Sequence, residues 1–172
     1  MEARIMKVAA LLIGLFLGHQ ATATRLEPGS EAPLFKVSRH DGGEFDLSSR
    51  KGKWTVLFFY PKAGTPGCTK QACAFRDGLK KITDQGADVF GISADEVSAL
   101  EKFHLEQKLN FPLLSDPDEK VIKAYGTKMW GLPMSRRWTF IIDPDLKIRS
   151  VERDVDPVLD AAKVAAKLKE LK

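Results

Sequence analysis

Cysteine is nearly absent. The 172 residues hold two, Cys68 and Cys73, so the chain has at most one internal disulfide and no disulfide scaffold. Histidine is almost as scarce: beyond residue 23 only His40 and His104 occur, neither at ligand spacing from a cysteine, which argues against a metal centre. No apolar run reaches the roughly 20 residues that a membrane-spanning helix needs. The formal charge of +4 is a modest excess spread along the chain. No basic patch is interleaved with aromatics, so nothing points to nucleic acid as a partner. Lys163, Lys167, Lys169 and Lys172 near the end read as a solvated helix face. No internal repeat occurs, and no linker rich in glycine, serine or proline divides the chain.

What is present begins with a leader. Arg4 and Lys7 precede an apolar run from Val8 to Gly18, and Ala21-Thr22-Ala23 gives the small-x-small pattern of a cleavage site. This predicts an export signal over residues 1–23 cleaved near Ala23, a periplasmic location, and no stable membrane insertion after cleavage. A mature chain from residue 24 carries a formal charge of +3. It is long enough for one compact domain with a real core.

The two cysteines stand where a reactive thiolate is best placed. Trp54 to Tyr60 is a nearly all-apolar run ending at Pro61, the signature of a strand buried on both faces. A helix from Pro66 to Asp84 follows, with Thr65 as N-cap, Pro66 as its first residue and Cys68 as its third. Helix N-terminal N–H groups and the macrodipole favour negative charge there. A free cysteine, with a pKa near 8.5, is only about 3% thiolate at pH 7, so such help matters. A permanent Cys68–Cys73 staple fits poorly with this helix. Residues five apart lie about 7.5 Å apart along the axis and about 140° apart around it. Disulfides need Cα atoms within about 7 Å and facing Cβ atoms. The pair joins only if the helix between them unwinds.

The remaining pattern predicts a mixed α/β sheet with helices on both faces. Phe35 to Val37 and Glu44 to Leu47 flank Asp41-Gly42-Gly43 as a hairpin. A strand at Ala87 to Ser93 leads to a helix at Val97 to Gln107, with Leu100, Phe103, Leu105 and Leu109 on its buried side. Pro112 to Ser115 reads as a short strand and Asp116 to Tyr125 as a short helix stopped by Gly126. Trp138 to Ile142 and Lys147 to Glu152 form a second hairpin. A last helix starts with Asp156 as cap and Pro157 at its first position, burying Val158, Ala161, Ala162, Ala165 and Leu168. In such sheets reactive groups gather beyond the carboxyl ends of the strands, where Cys68 sits.

The run from Tyr60 to Asp77, with Pro61, Thr65, Cys68 and Cys73 in a Pro-x-x-x-Thr-x-x-Cys pattern, resembles the active-site block of peroxiredoxins. More narrowly it is similar to the peroxiredoxin Q, or bacterioferritin-comigratory-protein, class. Glu31 to Phe35, Gly91 to Asp95, Phe111 to Asp116 and Arg137 to Asp143 carry the likeness across the chain. The resemblance implies a thioredoxin-like fold, a monomer, and no metal, haem or flavin cofactor. It implies Cys68 as the cysteine attacking hydrogen peroxide or an organic hydroperoxide, and Cys73 as the resolving cysteine that forms a disulfide with it. A thioredoxin-like reductant would restore both thiols. Pro61, Thr65 and Arg137 match the positions that shield the thiolate and bind peroxide.

Residue chemistry supports these roles unevenly. Arg137 offers a fixed charge and a fork of donors. Alternation places it on one strand face with Thr139 and puts Arg136 on the other. Thr65 is explained by an N-cap alone, and Pro61 by strand termination. Thr69, Lys70 and Gln71 add little burial between the cysteines by their type. The segment Lys128 to Ser135 departs from the common bacterial form toward a Gly-x-Leu-Pro type. Its Met129, Trp130 and Met134 suit partial core packing better than a docking patch. Two rivals remain: a dithiol carrier, which the four-residue gap disfavours, and a redox sensor or binding protein without rapid turnover.

Overall fold

The structure is a computed structural model that describes residues 25–172, so the export segment predicted over residues 1–23 lies outside the described residues. In chain order the first elements are β1 (Lys36–Arg39), β2 (Glu44–Asp46), a 3-10 turn (Leu47–Arg50), β3 (Trp54–Phe59) and α1 (Pro66–Thr83). There follow β4 (Ala87–Ser93), α2 (Val97–Glu106), β5 (Leu113–Ser115), α3 (Lys120–Ala124), β6 (Trp138–Ile142), β7 (Ile148–Glu152) and α4 (Asp160–Leu171).

These strands build one seven-stranded sheet in the order β2-β1-β5-β4-β3-β6-β7. Its centre, β5-β4-β3, is parallel, and antiparallel hairpins flank it on both sides. The apolar run of β3 lies between β4 and β6, which is why both its faces need hydrophobic residues. Val56 and Phe58 face α1, α2 and α4, while Leu57 and Phe59 face α3 and the 3-10 turn. Alternation along a strand thus serves two cores at once. The mixed sheet with helices on both faces is as the sequence pattern predicts.

Expectations for three of the helices need correction. The last helix begins at Asp160, not Pro157. Asp156 Oδ1 accepts from the Val158 N–H at 2.8 Å, closing a separate turn that leaves Val158 59% exposed. Ala162 is also on the outer side of α4, with Val164 buried instead. The helix expected from Asp116 is only Lys120–Ala124. The Asp116 carboxylate accepts from the N–H groups of Lys120 at 3.0 Å and Ile122 at 2.8 Å, holding the chain outside the helix until then. Leu105 is exposed, whereas Leu100, Phe103 and Leu109 are buried as expected.

Under α1 the packing is tight. Phe58 stacks on Phe75, with ring centroids 4.5 Å apart and planes tilted by 13°. Gly91 of β4 makes room for that stack: an added Cβ would lie 2.6 Å from Phe58 Cζ and 2.9 Å from Leu113 Cδ2. Gly91→Ala should therefore lower stability by about 1–3 kcal/mol through overpacking. Urea denaturation checks this, with a lower midpoint and an unchanged slope expected.

Candidate active site

Past the end of β3 the chain is held before it turns into α1. The Tyr60 N–H donates to the Ile92 carbonyl at 3.1 Å, and the Ala63 N–H donates to Asp95 Oδ2 at 2.8 Å. Ser93 Oγ also donates to that carboxylate oxygen at 2.8 Å. Gly64, at φ +75, supplies the turn that an L side chain rarely adopts. Thr65 then occupies the N-cap position with extended backbone, and Pro66 begins the helix, as predicted.

The Thr65 side chain differs from the expected cap. Its hydroxyl donates to the Lys62 carbonyl at 2.9 Å, and no side chain caps α1. The first-turn N–H groups and the positive end of the helix dipole are thus left for an anion or a polar ligand. Cys68 sits in this turn, 1% exposed.

Arg137 approaches the same turn from the start of β6. Its Nη2 donates toward Cys68 Sγ at 3.4 Å, and its Nη1 donates to Gln71 Oε1 at 2.6 Å. Gly67 permits this approach, since a Cβ there would stand 3.2 Å from Nη2. Arg136 points the other way, its guanidinium 5.9 Å from the Trp138 ring centroid. Alternation sets the two arginines on opposite faces, and the one that the family resemblance matches, Arg137, meets the sulfur.

The contact continues inward. Gln71 is fully buried, and its Nε2 donates to Asp160 Oδ2 at 2.6 Å. Thr139 Oγ1 donates to the same oxygen at 2.7 Å. Asp160 is itself fully buried at the first residue of α4, and its Oδ1 has no partner among the described residues. Burial pushes its carboxyl above the ordinary carboxylate range, with the bonds from Gln71 and Thr139 opposing that shift.

Gln71 corrects an expectation. Read by type it adds little burial between the cysteines, yet it is fully buried and held by two hydrogen bonds. Its spacing was the available signal, since i and i+3 share a helix face and Cys68 is the i residue. Thr139 was legible in the same way, two residues past Arg137 on one strand face. Asp160 carried no such sign.

Cys73 lies elsewhere on α1. It is half-buried, with Sγ 3.7 Å from Gln107 Oε1 at the end of α2, and both cysteines are free thiols in one unbroken helix. Pro61 lines a groove of about 500 Å³ with Ala94, Glu96, Ala99 and Met134. Trp130, expected to pack partly into the core, is 95% exposed. The bond from the Met129 N–H to the Met134 carbonyl at 3.0 Å closes the loop on itself and leaves the indole at its tip. Among the described residues no three His, Cys, Asp or Glu side chains converge as metal ligands. No described helix is long and apolar enough to cross a membrane.

Residues 28–151 match the AhpC/TSA family. Peroxiredoxin Bcp of Escherichia coli K12 is 39% identical over 137 residues, covering 75% of this chain and 86% of that protein. The crystal structure of peroxidoxin BcpB from Mycobacterium tuberculosis aligns with a TM-score of 0.79 at 35% identity, covering 86% of this chain and 99% of that one. A Xanthomonas campestris bacterioferritin comigratory protein, described for its alkyl peroxide reduction activity, aligns with a TM-score of 0.75 at 32% identity over 80% and 91% of the two chains. Sequence, fold and the cysteine-bearing helix agree, and the chain belongs to the AhpC/TSA family as a peroxiredoxin of the Bcp/Q class, a thiol-dependent peroxidase on a thioredoxin-like fold.

Proposed function

We propose that Cys68 is the sulfur that attacks peroxide and that Cys73 resolves it, with a thioredoxin-like dithiol closing the cycle. The observation that carries this reading is Arg137 Nη2 standing 3.4 Å from Cys68 Sγ at an uncapped helix start. The ionised sulfur attacks one peroxide oxygen and forms an S–O bond. The O–O bond breaks, and its electron pair leaves with the distal oxygen, which takes up a proton as water or alcohol. Arg137 and the first-turn N–H groups face the oxygen on which charge develops. The product is a sulfenic acid.

The Cys73 thiol then displaces hydroxide from the sulfenic sulfur, giving a disulfide and, with one proton, water. The helix between the cysteines must open for this step. A dithiol reductant returns both thiols by exchange and is itself oxidised to a disulfide. The activity named for the Xanthomonas protein supports organic hydroperoxides as substrates alongside hydrogen peroxide. Export and a periplasmic site of action rest on the leader pattern of residues 1–23.

Stopped-flow oxidation of the reduced protein with substoichiometric hydrogen peroxide, followed by peptide mass mapping, tests the two-cysteine cycle. Two thiols should disappear per peroxide, linked as Cys68–Cys73. Cys68→Ser should consume no peroxide, and Cys73→Ser should turn over once and then accumulate sulfenic or sulfinic Cys68. A Cys73→Ser protein that cycles normally with a thioredoxin-type reductant removes Cys73 from the mechanism.

Arg137→Ala should slow Cys68 oxidation by about 10²–10³-fold, the usual loss for one preorganised donor. Circular dichroism should remain unchanged. Gly67→Ala separates stability from rate. Alanine favours the helix over glycine by up to about 1 kcal/mol, while its methyl displaces Nη2. The melting temperature should hold or rise as the peroxide rate falls roughly 3- to 10-fold, since small misplacements of a reacting group are costly.

A further inference from the structure

A buried carboxyl with an unpartnered oxygen is costly to keep, and an apolar residue of similar volume would serve packing alone at least as well. Asp160 is such a group: fully buried, remote in sequence from the cysteines, with Oδ1 unpaired and Oδ2 taking two hydrogen bonds. One of these comes from Gln71, whose amide has a polar group at each end. Its NH₂ meets Asp160 and its carbonyl meets Arg137. An acceptor at Asp160 therefore decides which end of the amide faces the guanidinium. Were the amide turned over, its NH₂ would face the donors of Arg137, which accept nothing. The guanidinium would then lose the partner that holds Nη2 on the sulfur.

Gln71 also lies between the two cysteines in sequence, three residues after one and two before the other. Any unwinding of α1 that brings Cys73 to Cys68 must draw Gln71 out of its bond to Asp160. We propose that Asp160 is a positioning residue of the peroxidase site, acting through Gln71 both to set Arg137 on Cys68 and to latch α1 shut against disulfide formation. The inference rests on the two-cysteine reading above and gives the same contact opposite effects on the two steps. It speeds attack on peroxide and slows resolution.

The test follows both steps by stopped flow in the reduced full-length protein, with hydrogen peroxide as oxidant. Asp160→Ala should slow Cys68 oxidation about ten-fold, the loss expected for one hydrogen bond to a charged partner. The later disappearance of the second thiol should become about ten-fold faster, by the same bond lost from the closed helix. At high peroxide the variant should accumulate less sulfinic Cys68 than the wild type, because resolution outruns a second oxidation.

Asp160→Asn keeps an acceptor oxygen for Gln71 and Thr139, so both rates should return to within about three-fold of wild type, as expected when the bond is retained. Should Asp160→Ala fail to fold, Asp160→Leu fills the same space without an acceptor and should show the same opposed changes. Unaltered rates in the variant, slowing of both steps, or an Asn variant as impaired as the apolar one would overturn the proposal. A wild type that forms the Cys68–Cys73 disulfide beside such a variant leaves the two-cysteine cycle standing. A wild type that forms none defeats that cycle and the latch together.

Discussion

In the proposed cycle the sulfur of Cys68 must carry charge at a buried position, and a charge there needs a cation and donors close by. Cys68 is almost wholly enclosed, with the apolar core of the sheet beneath it. What offsets the enclosure is the guanidinium of Arg137 and the open first turn of α1. Each depends on a small residue or an unused side chain. Gly67 leaves the guanidinium its space, and Thr65 turns its hydroxyl back to Lys62 rather than across the helix start. The Ser93–Asp95 pair fixes the approach to that turn through Ala63. The reactive geometry is thus written into backbone placement more than into side-chain reach.

The packing that encloses Cys68 also limits how far α1 can open. Phe75, two residues beyond Cys73, is stacked on Phe58 and fully buried, and Ile82 is sealed further along. Burying each such side chain is worth roughly 1.5–3 kcal/mol, so the helix beyond Cys73 stays in place. Unwinding is cheapest over the first two turns, where the helix start is uncapped and Thr69 and Lys70 are only partly covered or exposed. Besides Cys68 itself, Ala72 and Gln71 are the buried residues inside that stretch. Alanine loses little surface, which leaves the Gln71 hydrogen bonds as the main tie to be broken. Under the two-cysteine cycle proposed above, one helix divides into a part that must open and a part that must not.

Much of this was legible from the chain alone, for identifiable reasons. A nearly all-apolar run marked β3, alternation put Arg137 and Arg136 on opposite strand faces, and the resemblance to the family chose between them. The shortcomings cluster where polar side chains do unexpected work. Gln71 and Asp160 belong to residue types that normally face solvent, and only the meeting of α1, β6 and α4 gives them each other. Asp156 satisfies an amide ahead of α4, and Asp116 reaches forward to two amides of α3 from outside it, so both helices start later than expected. Trp130 erred in the opposite sense: its size suggested burial, but a loop closed by its own backbone bond left it in solvent.

The contribution of α4 has a consequence for how the site comes into being. Asp160 is in the first turn of that helix, where the N-terminal dipole offsets part of the cost of a buried carboxyl. The helix docks through Ala161, Val164, Ala165 and Leu168 on the core that also holds α1. That docking delivers the carboxyl to Gln71, eighty-nine residues away in sequence. Cys68 and its helix start are local products of the strand, loop and helix around them. The Arg137 placement is not local, because it needs β6 beside β3 and the amide of Gln71 held from behind. A nascent chain therefore has Cys68 and its helix start long before it has the environment that surrounds them in the folded domain. The docking of α4 completes that environment, so the geometry around Cys68 belongs to the whole domain rather than to the cysteine motif.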